Sequence, residues 1–362
     1  MTMKQIVEQF QLKSEPGEIK PLKIGFINDS FIVESKEEDG EWYFLQRINH
    51  NIFKNVEGLQ KNISIVTDHL RKKLAERGVT NLERRVLQLV PAKDRKLYHK
   101  DAEGNYWRVY VHIRDTKSYD AITPELAYKA GLAFGDFQSM LSDLPLDEMI
   151  ETIPNFHNME FRLEEFREAV KNNAAGRADR VQWMIDEIEN RADEMCIPER
   201  LHREGKLPKR INHCDTKVNN MLFDSNDEPI CVVDLDTVMP GYVLSDFGDF
   251  MRTAANTGAE DDENPDNIGV NFDIFEAYTK GYLEKAKGFL SPTELGNLAF
   301  GAKLLSYMQT VRFFTDYLNG DTYYKIKSPE HNWQRTLAQF ELLKKQEESY
   351  DRMQEIVFNC AR

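Results

Sequence analysis

Cysteine is scarce in this sequence, and its placement gives no metal-binding or disulfide pattern. The chain has 362 residues and only four cysteines, Cys196, Cys214, Cys231 and Cys360. None of them has the spacing of a metal-ligand pair. We therefore expect reduced thiols.

Long hydrophobic runs are also lacking. The first ten residues have mixed polarity, without a basic region that leads into an apolar core. No apolar run approaches the length that is needed to span a membrane. The sequence therefore predicts a cytoplasmic protein that does not enter a membrane.

Basic residues are fewer than acidic ones. The sequence has 47 Lys and Arg against 61 Asp and Glu, a formal net charge of −14. Nucleic acids and anionic membranes bind concentrated Lys and Arg, so neither is expected as the main partner. No protein partner is predicted either.

The chain does have enough apolar content for two lobes. With 41% hydrophobic residues it can bury a sizeable core. The stretch 20–111 is rich in strand signals, and the signal becomes helical beyond residue 120. We predict an α+β fold with a small antiparallel-sheet lobe, residues 1–113, and a larger, mainly helical lobe, residues 114–362.

Hydrophobic periodicity predicts several individual elements. Apolar residues recur at helical spacing over 56–74, and Gly78 is well placed to end that helix. A Thr-Pro-Glu start predicts a helix over 123–141, and a Ser-Pro-Thr-Glu capping box predicts another over 291–318. Residues 86–90 are predicted to be a strand.

The candidate catalytic and metal-binding residues are concentrated in the stretch 211–222 and at Asp234, which follows a strand-like apolar run. His213, Asp215 and Asn220 have the spacing H-x-D-x-x-x-x-N. In kinase active sites the Asp of such a loop deprotonates the acceptor hydroxyl, while the Asn and a later Asp hold magnesium. Turns also favour Asp and Asn, but the combined spacing and the strand that follows favour a phosphoryl-transfer centre.

Several motifs resemble those of known kinases. Asp234-Leu235-Asp236 and Asp246 match acidic positions of the aminoglycoside phosphotransferase and choline kinase superfamily, which has a protein-kinase-like fold. A narrower resemblance, to the bacterial N-acetylhexosamine 1-kinases, covers nearly the whole chain. Its motifs are Phe44-Leu45-Gln46-Arg47-Ile48-Asn49, Trp107-Arg108-Val109-Tyr110, Phe134-Gly135-Asp136-Phe137-Gln138, Asp234-Leu235-Asp236-Thr237-Val238-Met239-Pro240-Gly241 and Pro329-Glu330-His331-Asn332.

The resemblance implies ATP and Mg²⁺ as cofactors and a small-molecule sugar as substrate. The phosphoryl group would pass to the anomeric hydroxyl of N-acetylglucosamine or N-acetylgalactosamine. Asp215 would be the catalytic base, and Lys217, two residues later, would reach the γ-phosphate as a point charge. The other roles are metal binding by Asn220, Asp234 and Asp236, and support of the loop by His213 and Asp246.

Nucleotide binding is expected in the N-terminal lobe. The segment 23–30 lies where a kinase covers the phosphates with a glycine-rich turn, although it has a single glycine. Because ATP is an anion and the chain is acidic, the site must depend on magnesium and a few local donors. The residues assigned to the nucleotide are Gly25, Asn28, Ser30, Gln46, Val111 and Ile113, the last two through their backbone.

The strand that should carry a phosphate-binding lysine departs from the kinase pattern. Gln46 occupies the position where many superfamily members have Lys or Arg. Arg47 faces the other way, because strand side chains alternate. The usual phosphate clamp is therefore missing.

The acceptor is expected near the end of the helix over 291–318. Arg312 and Tyr323 are assigned to the substrate together with Asp215. A cationic acceptor would favour several carboxylates in its pocket. Arg312 and Tyr323 instead suit a neutral, hydroxyl-rich ligand.

Three other functions stay open. The first is a kinase of the same superfamily for another small hydroxyl acceptor, such as another sugar, an amino alcohol or an aminoglycoside. The second is a mucin-desulfating sulfatase, suggested by Cys196-Ile197-Pro198-Glu199-Arg200, which matches C-x-P-x-R; helix entry at Pro198 explains this segment too. The third is a nucleotide-binding protein without catalysis, against which the intact Asp215, Asn220 and Asp234 count.

Overall fold

The structure is a computed structural model that describes residues 1–22 and 27–362, so Gly25, assigned above to the nucleotide, lies outside the described residues. The strands are β1 (Pro16–Leu22), β2 (Asp29–Ser35), β3 (Tyr43–Ile48), β4 (Leu89–Val90), β5 (His99–Lys100), β6 (Tyr106–Val111), β7 (Arg210–Asn212), β8 (Met221–Phe223), β9 (Pro229–Val232) and β10 (Met239–Gly241). The helices are α1 (Met3–Val7), α2 (Val56–Glu76), α3 (Leu82–Arg85), α4 (Pro124–Leu141), α5 (Met159–Asn172), α6 (Gln182–Met195), α7 (Ile197–Arg203), α8 (Val243–Ala254), α9 (Phe272–Ala286), α10 (Pro292–Gly296), α11 (Leu298–Leu318), α12 (His331–Glu348) and α13 (Tyr350–Ala361).

The predicted α+β class is confirmed, with an antiparallel sheet in the N-terminal part and helices in the C-terminal part. The chain forms two compact units that are not continuous in sequence. The first unit comprises residues 1–118, 143–154 and 221–239, and the second comprises 119–142, 155–220 and 240–362. Residues 221–239, which include Asp234 and Asp236, thus belong to the first unit. A functional boundary at residue 113 stays a prediction.

The first unit is organised by a sheet with the strand order β1-β2-β3-β6-β4, in which β5 also pairs with β6. All of these pairings are antiparallel. Alternate side chains of the central strands, such as Val33, Leu45 and Val109, are fully buried in one apolar cluster with Ile6 and Val7 of α1. The opposite face of the same strands carries the polar residues that are described below.

Helix α2 follows the sequence prediction. Its six apolar positions, Val56, Leu59, Ile63, Val66, Leu70 and Leu74, are all buried. Asn55 caps it by accepting a hydrogen bond from the Gly58 N–H at 2.9 Å, and Gly78 has φ +76° just after its end. Glycine adopts the left-handed conformation at such a place most readily, because it has no Cβ atom.

The predicted strand over residues 86–90 is largely wrong. Residues Leu82–Arg85 form the short helix α3, and only Leu89–Val90 pairs with β6. Val86 and Leu87 are nevertheless buried. A short apolar run indicates burial, but it does not distinguish a strand from a packed turn.

Two glycines bring α8 close to α11 in the second unit. A Cβ atom on Gly248 would lie 2.1 Å from the Gly301 carbonyl oxygen, and one on Gly301 would lie 2.0 Å from the Leu244 carbonyl oxygen. Real Cβ atoms do not approach other atoms so closely, so only glycine permits this crossing. The crossing fixes α8, whose first turn carries Asp246.

The predicted helices of the second unit are confirmed with one correction. Helix α4 begins after the Thr123 cap, as predicted. The helix predicted over 291–318 is interrupted at Asn297, which separates α10 from α11. Glu294 of the capping box also binds Arg210, at 2.5 Å, and this contact anchors α10 separately. Among the described residues, no helix has the length and apolarity that crossing a membrane requires.

Candidate active site

The loop after β7 is shaped by a carboxylate beneath it. Cys214 adopts φ +62°, an uncommon conformation for a residue with a side chain. The Asp246 carboxylate accepts hydrogen bonds from the backbone N–H groups of His213 and Cys214, both at 2.8 Å. Burial raises the pKa of Asp246 to about 6, and His213 together with the donated hydrogen bonds opposes that rise. Asp246 thereby holds the bend that presents Asp215.

His213 lies inside the protein beneath this bend. Its ring packs against Phe134 and Phe137, with centroid distances of 6.1 Å and 6.0 Å, and it is fully buried. Its Nδ1 accepts the N–H of Asp215 at 3.3 Å. These contacts agree with a supporting role for His213.

Gln138 of α4 joins the same network and was not singled out from the sequence. Its Nε2 donates to Asp246 at 2.7 Å and to the Asn212 side chain at 3.3 Å. Its carbonyl oxygen accepts from the Tyr282 hydroxyl. Gln138 lies in one of the kinase-like motifs, but the sequence of that motif does not reveal which buried group its amide meets.

Asp215 is paired with its two neighbours in the loop. Lys217 Nζ lies 3.0 Å from one carboxylate oxygen, and Asn220 Nδ2 donates to the other at 3.1 Å. Burial alone would raise the pKa of Asp215, but the Lys217 ammonium holds it below its ordinary value. The candidate base is therefore ionised at neutral pH.

The geometry of Lys217 and Asn220 bears on their predicted roles. Lys217 is half-buried and its pKa is raised, chiefly by Asp215, so it stays charged while it is paired. Asn220 directs its amino group to Asp215, and its carboxamide oxygen must therefore face away from that carboxylate. An oxygen in that position is the atom that a magnesium ion would require.

Arg312 and Tyr323 are neighbours in the second unit. Burial would lower the pKa of Arg312, but the phenols of Tyr324 and Tyr323 raise it, Tyr323 through a hydrogen bond. The guanidinium lies over the ring of Phe156, 4.8 Å from its centroid. Tyr323 is half exposed. Arg312 thus contacts both Phe156 and Tyr323.

The loop that carries Tyr323 is held by one buried carboxylate. Asp316 accepts the backbone N–H groups of Thr322, Tyr323 and Tyr324, at 2.8, 2.8 and 3.0 Å. It also accepts from the side chain of Asn332 at 2.8 Å. Asp316 therefore fixes the main chain of this loop.

His157 was missed by the sequence reading. Its ring stacks on Phe156 at 4.6 Å, and its buried Nδ1 has no hydrogen-bond partner among the described residues. Burial, aided by Arg312 and Arg162, lowers the pKa of His157 to about 3, and Asp215 opposes this shift. The neutral imidazole thus lies within electrostatic reach of both the candidate base and Arg312. A lone histidine in an irregular segment offers no pattern by which it could have been found.

The residues assigned to the nucleotide belong to the first unit. Asn28 is half-buried, and Ser30 and Gln46 are buried and hydrogen-bonded to each other at 3.0 Å. The Val111 N–H already donates to the Gln88 carbonyl at 2.9 Å. The Ile113 carbonyl accepts from the Thr116 hydroxyl at 3.2 Å. Hydrogen bonds from this segment to adenine stay a prediction.

The two acidic residues of the Asp-Leu-Asp motif have different surroundings. Asp234 is exposed and left-handed, with φ +58°. Asp236 is buried and accepts hydrogen bonds from Arg108 and Asn28. Within residues 1–22 and 27–362, no three His, Cys, Asp or Glu side chains form a cluster that could hold a metal. Magnesium typically takes one or two carboxylates and completes its shell with phosphates and water, so metal binding by Asn220, Asp234 and Asp236 stays a prediction.

The cysteine of the sulfatase-like motif lies between α6 and α7. Cys196 is half-buried, and burial raises the pKa of its thiol to about 11. Pro198 occupies the first turn of α7. The thiol is therefore protonated at neutral pH, and helix entry accounts for the proline.

The sequence of this chain also matches a known protein family. Residues 18–281 match the model of a family described as the phosphotransferase enzyme family. The chain belongs to this family. The predictions of a phosphotransferase enzyme and of membership in the aminoglycoside phosphotransferase superfamily are thereby confirmed.

Solved structures of phosphotransferases share the fold of this one. An aminoglycoside phosphotransferase from Alicyclobacillus acidocaldarius has a TM-score of 0.62 at 11% identity, over 99% of this chain and 97% of its own. A microcompartment-associated aminopropanol kinase has a TM-score of 0.58 at 13% identity, over 97% of both chains. An amicoumacin kinase, solved with AMP-PNP and Ca²⁺, has a TM-score of 0.57 at 13% identity, over 97% of this chain and 94% of its own. These likenesses confirm the protein-kinase-like fold.

Proposed function

We propose that this phosphotransferase transfers the γ-phosphoryl group of ATP to the anomeric hydroxyl of N-acetylglucosamine or N-acetylgalactosamine. The observation that carries the reaction type is the contact of Asp215 with Lys217 and Asn220, on a loop whose bend is held by Asp246. The sugar is supported by the motifs that resemble N-acetylhexosamine 1-kinases.

The residues around His157 favour a neutral acceptor. Burial lowers the pKa of His157, and Arg312 and Arg162 lower it further. Their positive charges would repel an ammonium group placed there. The neutral imidazole and the phenol of Tyr323 can instead exchange hydrogen bonds with hydroxyl and amide groups. An N-acetylated sugar offers both.

In the proposed reaction Asp215 accepts the proton of the anomeric hydroxyl as its oxygen attacks the γ-phosphorus and the bond to ADP breaks. Lys217 keeps Asp215 ionised and lies beside it as a positive charge for the transferring group. His213 and Asp246 keep the base in place. Such transfers depend mainly on positioning and electrostatics.

Asn220 and Asp234 are the residues that would hold Mg²⁺. Asn220 has a carboxamide oxygen directed away from Asp215, and Asp234 has an exposed carboxylate. When bound, the ion would neutralise charge on the phosphates of ATP. The amicoumacin kinase solved with AMP-PNP and Ca²⁺ supports a nucleotide and a divalent cation as cofactors.

A second candidate is a kinase for an amine-bearing acceptor. The names of the similar structures favour it, because they include an aminopropanol kinase and an aminoglycoside phosphotransferase. The positive charges of Arg312 and Arg162 near His157 disfavour an amine-bearing acceptor.

A panel of acceptors separates the two candidates. ATP consumption would be measured with N-acetylglucosamine, N-acetylgalactosamine, glucosamine, aminopropanol and an aminoglycoside, and the product assigned by phosphorus NMR. We expect turnover with the N-acetylated sugars and a 1-phosphate product. A 6-phosphate product, or a preference for the amines, would contradict the proposal.

A further inference from the structure

Arg252 of α8 binds two carboxylates inside the second unit. Its Nε donates to Asp249 at 3.0 Å, and its Nη1 donates to Glu260 at 2.7 Å and to the side-chain oxygen of Gln339 at 3.2 Å. The side chains of Arg252 and Asp249 are only 4% and 7% exposed. Glu260 is the outer member of this group, because 40% of its side chain is exposed.

Glu260 has an oxygen atom that is free to bind a ligand. Its Oε1 accepts the hydrogen bond from Arg252, and within residues 1–22 and 27–362 no group is paired with Oε2. Burial alone would raise the pKa of Glu260, but Arg252 and Lys217 lower it. The carboxylate is therefore ionised at neutral pH and can only accept hydrogen bonds. A ligand that donates a hydrogen bond would satisfy it.

Helix α8 connects Glu260 to the catalytic loop. The first turn of α8 carries Asp246, which holds the bend before Asp215. Arg252 lies six residues later on the same helix, about 9 Å along its axis. One rigid element therefore positions both the candidate base and, through Arg252, the outer carboxylate Glu260.

Electrostatic interactions relate Glu260 to both sides of the predicted acceptor region. The pKa of Lys217 is raised by Asp215 and, after it, by Glu260. Burial raises the pKa of Tyr324, and Glu260 adds to that rise. The ring of Tyr324 in turn lies 5.8 Å from the guanidinium of Arg312. Because Coulomb interactions weaken with distance, Glu260 lies near the catalytic loop and near the predicted substrate residue Arg312.

Helix α12 fixes the segment that carries Glu260. The next residue, Asp261, accepts hydrogen bonds from His331 Nε2 at 2.9 Å and from Lys327 Nζ at 2.7 Å. His331 Nδ1 accepts the Lys327 backbone N–H at 3.1 Å, so Nε2 is the nitrogen that donates. His331 is buried and belongs to the motif over residues 329–332. This motif thus helps to hold Glu260 in place.

We propose that Glu260 is a specificity-determining residue of the acceptor site, whose free oxygen accepts a hydrogen bond from a ring hydroxyl of the sugar other than the anomeric one. This inference rests on the proposed function, because it takes an N-acetylated hexose as the acceptor at Asp215. A hydrogen bond to an ionised carboxylate is roughly twice as strong as one between neutral groups. Glu260 therefore distinguishes a sugar that has this hydroxyl from one that lacks it.

Deoxy sugars test this contact one hydroxyl at a time. The kcat/KM would be measured for the preferred N-acetylated sugar and for its 3-deoxy, 4-deoxy and 6-deoxy analogues, with the wild type and with Glu260→Ala. For the wild type we expect one analogue to be about tenfold or more below the parent sugar, a typical loss for a charge-assisted hydrogen bond. In Glu260→Ala the same analogue should lie within about twofold of the parent sugar, because the acceptor atom is gone. The KM for ATP should stay unchanged.

Glu263→Ala is the matched control, because Glu263 is an exposed carboxylate three residues later in the same segment. It should leave the ratio of each analogue to the parent sugar unchanged. A purely structural Glu260 would affect the parent sugar and its analogues by the same factor. Wild-type ratios in Glu260→Ala would therefore refute the proposal.

Glu260→Gln decides by the same comparison if Glu260→Ala does not fold. It keeps the shape and one acceptor oxygen but removes the charge, so the ratio should fall to about threefold. A ratio equal to that of the wild type would refute the contact with the carboxylate. A wild-type chain that phosphorylates no N-acetylated sugar would refute the proposed function itself. Turnover of the sugar without the expected ratios would refute only this inference.

Discussion

The carboxylate of Asp316 gives the sharpest test of how the acceptor loop is built. It accepts three backbone N–H groups, from Thr322, Tyr323 and Tyr324, and the Asn332 amide. In Asp316→Asn one oxygen becomes an amino group, so two of these four donors lose their acceptor. Each buried donor without an acceptor costs about 1–3 kcal/mol. We expect a loss of about 2–6 kcal/mol in the free energy of unfolding.

Urea unfolding at pH 7 measures this loss, and Asp273→Asn is its control. Asp273 is exposed in the first turn of α9, where the same change should cost less than about 1 kcal/mol. If Asp316→Asn still folds, displacement of Tyr323 should raise the KM for the sugar and leave the KM for ATP unchanged. Equal stability of the two variants would refute the reasoning about unpaired donors. Equal rises in both KM values would refute the placement of Tyr323 on the acceptor side.

Other predictions concern individual groups. Asp215→Asn should lower kcat by about 10²–10⁴ while ADP binding is retained, and near wild-type turnover would remove Asp215 from the role of base. Asp234→Ala should abolish the magnesium-dependent part of ATP binding in titrations with and without the metal; an unchanged metal effect would contradict it. Cys196→Ala should keep sugar phosphorylation within about threefold of the wild type, because the protonated thiol of Cys196 takes no part in the transfer. Release of sulfate from a sulfated sugar by the wild type but not by this variant would revive the sulfatase alternative. The raised pKa of Asp246, about 6, means that the folded chain binds this proton more tightly than the unfolded chain, so the contribution of Asp246 to stability falls as pH rises from 4 to about 6. In Asp246→Asn the free energy of unfolding should depend less steeply on pH over this range. An identical dependence would show that another group titrates.

The catalytic loop could be predicted because its information is local. Asp215 and Asn220 are separated by four residues, and a single turn of backbone brings them within hydrogen-bond distance. The regular stripe of α2 was equally informative, since its apolar positions repeat with the period of a helix. In these cases the spacing along the chain largely determines the spacing in space.

Contacts between distant segments could not be predicted in this way. Gln46 was recognised as the position that lacks a cation, but its partner Arg108 lies 62 residues away on another strand. Strand register depends on turns and packing that a single sequence does not specify. His157 was missed for a related reason, because its burial arises from residues of other elements. The pairing of Glu294 with Arg210 likewise joins distant segments.

The pairing of Arg108 with Asp236 also has a consequence during synthesis. The two residues are separated by 128 positions, and a ribosome adds about 5–20 residues per second. The arginine is therefore synthesised on the order of ten seconds before its carboxylate. During that interval the sheet must either expose the guanidinium to water or remain incomplete. A nascent chain from which Asp236 has not yet emerged should accordingly be more sensitive to proteases in β6 than one from which residue 239 has emerged.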